Sequence, residues 1–64
     1  MGMIHLTRIN HKALVVNAEL IEHVEATPDT VVSMTTGEKF VVMETPDDVV
    51  QRTIEYRRAV MNTA

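Results

Sequence analysis

The side chains with chemical potential are few. His5, His11 and His23 are the only imidazoles, and there is no cysteine. The run Glu22-His23-Val24-Glu25 invites a metal or acid–base reading. On an extended strand, however, Glu22 and His23 point to opposite faces. His23 and Glu25 then share a face, and two ligands do not make a metal site. Asp47, Asp48 and Glu44 gather three carboxylates over five positions. Paired carboxylates do acid–base work when their surroundings separate their pKa values, but acids at a helix start are accounted for by the helix dipole alone. The hydroxyls of Thr30, Ser33, Thr35 and Thr36 show no spacing to His or Asp that resembles a nucleophile elbow; β propensity explains the threonines. Arg52, Arg57 and Arg58 suggest a basic face that Glu55 interrupts, which reads most simply as a solvated helix surface. No catalytic residue, no cofactor-binding residue and no metal ligand is assigned.

The elements that must position these residues are short. Met3 to Ile9 has Ile4 and Leu6 on one face and His5 and Thr7 on the other, a strand pattern. Asn10-His11 then turns the chain into a second strand, Lys12 to Val16. A type I′ turn needs positive φ at both central residues, and His11 stands where glycine is usual. Asn17 is a good cap for a single helical turn that swings Leu20 and Ile21 inward. A third strand, Glu22 to Ala26, turns Val24 and Ala26 in. Thr27-Pro28-Asp29-Thr30 is a turn with proline at its second position. The fourth strand, Thr30 to Thr35, alternates Val32 and Met34 with Val31 and Ser33. Thr36-Gly37 closes the next hairpin, glycine supplying positive φ. The fifth strand, Lys39 to Glu44, sets Phe40 and Val42 against Val41 and Met43. Thr45 as N-cap, Pro46 at the first helical position and Asp47-Asp48 in the first turn then open a helix over about 46–61. Val49, Val50, Thr53, Ile54, Val60 and Met61 form its apolar stripe, and residues 62–64 are expected to fray.

The predicted fold is α+β and mainly β. About five short antiparallel strands form a bent sheet or small open barrel, followed by one C-terminal helix, in a single domain over 1–64. Two hairpin-linked strands carry apolar residues on both faces. The helix can cover one of them. Val31, Val41 and Met43 lie on the other and mark the expected self-association or partner surface, so a homo-oligomer is expected.

Size and charge bound the function. A chain of 64 residues has a lean core, and below roughly 70–80 residues a core rarely supplies more than about 3–5 kcal/mol. Without cysteine there is no disulfide support, which leaves a lean monomer or an oligomer. Phe40 and Tyr56 are the only aromatics, and the net charge is −3. Both features oppose nucleic-acid binding, which wants stacking platforms and positive charge. No apolar run approaches the ~20 residues of a membrane helix. The N-terminus lacks a signal-peptide pattern, and Leu6 stands where myristoylation wants Ser or Thr. A cytoplasmic protein without membrane insertion is expected.

The segments "MIHLTRIN" and "NAELIEHVEATPDTVVSMTTGEKFVVMET", followed by a helix that starts with acids, resemble the small FlbD family of flagellar and swarming-motility proteins. The most specific segments are Leu6-Thr7-Arg8, Asn17 with Glu19 and Ile21-Glu22, Pro28-Asp29-Thr30, and Thr36-Gly37 with Lys39. The departure is at Asn10-His11, where the family commonly shows Asn-Gly. The resemblance implies a non-enzymatic cytoplasmic accessory of flagellar motility. In the SwrD branch it implies motor power exerted through the torque-generating stator, a protein partner. It carries no site residues. The alternative reading is a small β-sheet nucleic-acid-binding regulator of motility genes, which rests on the Arg52, Arg57 and Arg58 face.

Overall fold

The computed structural model describes residues 2–26 and 28–61, apart from the side chain of Met61. Expectations for Thr27, the Met61 side chain and 62–64 lie outside the described residues. The order is β1 (Met3–Thr7), β2 (Ala13–Asn17), a 3-10 turn (Ala18–Leu20), β3 (Ile21–Ala26), β4 (Thr30–Met34), β5 (Lys39–Val42) and α1 (Pro46–Met61). The expected five antiparallel strands and C-terminal helix are all present, in sheets ordered β1-β2 and β3-β4-β5.

The two sheets join through a seam. β1 ends at Thr7 rather than Ile9, but Arg8 bridges to Val42. Ile9 N–H donates to Val41 O at 3.2 Å, and Met43 N–H donates to Thr7 O at 2.8 Å. On the far side the chain passes through the 3-10 turn, where Thr35 N–H donates to Leu20 O at 2.7 Å. The result is a bent, partly closed barrel with α1 packed on β1 and β3.

Both inner hairpin loops use one geometry. In the first, His11 N–H donates to Arg8 O and Arg8 N–H donates to Lys12 O, both at 2.8 Å. In the β4–β5 loop, Gly37 N–H donates to Met34 O at 3.0 Å and Met34 N–H to Glu38 O at 2.8 Å. His11 has φ 71° and Gly37 φ 95°. Each is a three-residue loop that ends in a left-handed residue, a G1 bulge. The first loop is therefore not type I′: Asn10 is not at positive φ. Its side-chain Oδ1 instead accepts from Lys12 N–H at 3.1 Å, which spares it the left-handed conformation. Pro28 and Asp29 lie in the connection spanned by the Ala26–Thr30 pair.

Ile4, Leu6, Leu14, Val16, Val32, Met34, Val42 and Val49 make the core, with Ala18. Ile4 and Leu6 share the buried face of β1 as their spacing predicts, and Leu14 and Val16 alternate in the same way on β2. Inward assignments in three elements are corrected. Asn17 does cap the 3-10 turn, its Oδ1 accepting from Glu19 N–H at 3.0 Å, but the turn buries Ala18 and leaves Leu20 exposed. Ile21 packs on the core, whereas Ala26 is exposed at the loop end of β3. Among the described side chains of α1 only Val49 is fully buried. Thr53 and Tyr56 are half-buried, and Val50, Ile54 and Val60 face outward. Tyr56 holds its place because Gly2 lies beneath its ring; a Cβ there would meet Tyr56 Cε2 at 2.6 Å.

The start of α1 follows its sequence. Thr45 Oγ1 accepts from Asp48 N–H and Asp48 Oδ2 accepts from Thr45 N–H, both at 3.1 Å. This reciprocal capping box, with Pro46 at the first helical position, satisfies amides that have no partner within the helix.

Candidate functional site

The residues with chemical potential fall into structural roles. β3 carries a bulge between Ile21 and His23. The extra residue rotates Glu22, so it does not oppose His23 as a regular strand predicts. His23 Nδ1 lies 3.0 Å from Glu22 Oε1, and its Nε2 lies 2.9 Å from Glu25 Oε1. All three side chains are exposed on the free edge of the three-stranded sheet. Among the described residues no group of three His, Asp or Glu is arranged to hold a metal ion. A bulge and charged side chains are ways in which an edge strand is kept from pairing with another chain.

Glu44 departs from its assignment to the helix start. Its side chain is only 10% exposed. Oε1 accepts from Thr7 N–H at 2.8 Å, and Oε2 accepts from Arg52 Nη1 at 3.1 Å. The same guanidinium nitrogen donates to His5 O at 2.6 Å. Burial pushes the Glu44 carboxyl up, but the hydrogen bonds from Thr7 and Arg52 outweigh it and hold the carboxyl below its ordinary value. This latch ties α1 to β1, and it takes Arg52 out of any basic face with Arg57 and Arg58. No local spacing signalled it, because Glu44 precedes the helix and helical periodicity does not relate it to Arg52.

The apolar surface is the remaining candidate. Val31 pairs with Val41 across β4 and β5, and Val41 O receives Ile9 N–H. Val31, Val41 and Ile9 thus form a row across three chain segments, on the face opposite Val32 and Val42. Val31 is half-buried, Val41 is 37% exposed, and Ile9 and Met43 are each 53% exposed. Met43 lies two positions past Val41, beside Thr7. The structure therefore brings Val31, Val41 and Met43 together and adds Ile9. Sequence reasoning missed Ile9 because it placed the residue at the end of a strand without knowing that β1 runs beside β5. The turn and cap residues Asn10, Asn17, Pro28, Asp29, Gly37, Thr45 and Pro46 shape loops and helix starts rather than a binding site. Pro28 and Asp29, with Ile9 and Met43, line a hollow of about 280 Å³ at the rim of the row.

Among the described residues no helix is long and apolar enough to cross a membrane. Residues 3–61 match the model of the FlbD family, described as flagellar and swarming motility proteins. No curated protein and no solved structure matches.

Proposed function

The chain belongs to the FlbD family of flagellar and swarming motility proteins, and from that membership we propose that it is a non-enzymatic accessory that docks on a protein of the flagellar motor or stator, from the cytoplasmic side, and raises motor power. The observation that supports this is the apolar row of Val31, Val41 and Ile9 with Met43 at its side. A contiguous apolar patch on a small domain marks an interaction surface. Covering it gains roughly 25 cal/mol per Å² before association costs.

Docking by strand addition fits less well, because the free edge at β3 carries the bulge at Glu22 and the charges of Glu22, His23 and Glu25. The absence of enzymatic activity is supported by the occupations of the acids: Asp48 caps α1, and Glu44 latches it. Nucleic-acid binding loses support for a parallel reason, since Arg52 is held by Glu44.

The test is complementation of a deletion strain. Val41→Glu and Met43→Glu should give normal flagellar numbers with weak swimming, while Arg58→Glu swims as the parent does. Circular dichroism of the purified variants checks that they fold. Wild-type swimming with Val41→Glu would remove the row from the function. Missing flagella in the deletion strain would move the protein from motor power to assembly.

A further inference from the structure

Helix α1 has two apolar faces. At 3.6 residues per turn, Val49, Thr53 and Tyr56 face the body of the domain. Val50 and Ile54 lie on a second stripe about a third of a turn away, 52% and 39% exposed. This stripe borders a groove of about 350 Å³ between α1 and β3, floored by Ile21 and Val24. Asp47 and Arg57 close the two ends of the same stripe, and both are exposed. Neither has an ion-pair partner among the described residues.

The spacing is symmetric. Val50 and Ile54 stand two residues either side of position 52, and Asp47 and Arg57 stand five either side. A two-fold axis beside position 52 would set two antiparallel copies of α1 together. It would place Val50 against Ile54 of the second copy and Asp47 against Arg57 of the second copy, twice over. Arg52 does not crowd the axis, because it projects from the opposite side of α1 to Glu44 and His5 O. An interface made by the same patch on both subunits has to be complementary to itself in this way. Opposite charges at its ends fix register and orientation.

We propose that the chain forms a two-fold homodimer through the Asp47, Val50, Ile54 and Arg57 face of α1, with the row of Val31, Val41 and Ile9 left free on each copy. The occupant of this helix face is a second copy of the chain. The dimer supplies apolar burial that a domain of this size lacks alone. The inference is independent of the motility reading, since it concerns a different surface and is measured on purified protein.

Light scattering at micromolar concentration should give twice the 7.2 kDa of one chain. Ile54→Glu should give the mass of one chain with an unchanged circular dichroism spectrum. Asp47→Lys and Arg57→Glu should each weaken the dimer about tenfold by setting like charges together. Mixed in equal amounts, those two variants should recover the dimer. One end of the mixed interface then sets the introduced lysine against the introduced glutamate, and the other end keeps the native Asp47 and Arg57 pair. Val41→Glu should leave the mass at two chains. A wild-type mass of one chain would overturn the proposal. So would a dimer that withstands Ile54→Glu but not Val41→Glu, or a mixture of the two charge variants that stays dissociated.

Discussion

Glu44 carries more of the structure than its neighbours in sequence suggest. Its two oxygens hold the Thr7 amide and the Arg52 guanidinium, so one side chain fixes strand, loop and helix together. A carboxyl held below its ordinary value of about 4.5 stabilises the fold above that pH, and the contribution is lost as pH falls through the lowered folded value. Urea unfolding at several pH values should therefore show wild-type stability declining below about pH 4.5. Glu44→Gln should cost about 1–2 kcal/mol at neutral pH and flatten that part of the curve. A parallel decline in both proteins would show that Glu44 is not the titrating group. Sequence reasoning put Glu44 with Asp47 and Asp48 because all three precede or open one helix. Asp47 and Asp48 do lie in the first turn of α1, and Asp48 completes the capping box with Thr45, whereas Glu44 turns away to Thr7 and Arg52. The true partner, Thr7, is invisible to local pattern because it lies on the opposite side of a closed seam.

At the scale of elements, two loops with different sequences fold alike. Arg8 to Lys12 and Met34 to Glu38 make the same pair of backbone hydrogen bonds, and His11 occupies the position that Gly37 fills in the other loop. A left-handed conformation costs a non-glycine residue about 1–2 kcal/mol, partly offset by the greater unfolded freedom of glycine. His11→Gly should raise stability by about 0.5–1 kcal/mol in denaturant unfolding, whereas Gly37→Ala should lower it. A loss of stability in His11→Gly would mean that the imidazole makes a compensating contact. Element identity was legible in the sequence wherever the signal was local: alternation on β1, glycine at the β4–β5 loop, and Thr45-Pro46 at the start of α1. What escaped it was set by distant neighbours. Leu20 was expected inward and Ala18 takes that place, because Ala18 N–H is bonded to Gly2 O, at the other end of the β1–β2 pair. Val50 and Ile54 belong to the expected apolar stripe of α1, but the helix packs on β1 and β3 with Val49 and Tyr56 toward the core and leaves them outside. The apolar pattern was read correctly as two-sided on β4 and β5; the second apolar face of α1 was not distinguished from the first.

Seen whole, the molecule measures 39 × 22 × 19 Å and places its apolar surfaces apart. One is the row on the sheet and the other the outer stripe of α1, so the proposed dimer and the proposed partner docking would use different surfaces. The seam between β1 and β5 has a further consequence for how such a chain reaches its fold. Its hairpins close loops of three residues, while the Thr7–Glu44 bond joins positions 37 apart. Loop-closure entropy rises with the logarithm of the separation, so the seam is the costly contact and the hairpins are the cheap ones. The barrier to folding should then lie at seam closure. In stopped-flow measurements Glu44→Gln should slow folding and leave unfolding nearly unchanged. If the variant instead unfolds faster at an unaltered folding rate, the barrel closes after the barrier has been crossed.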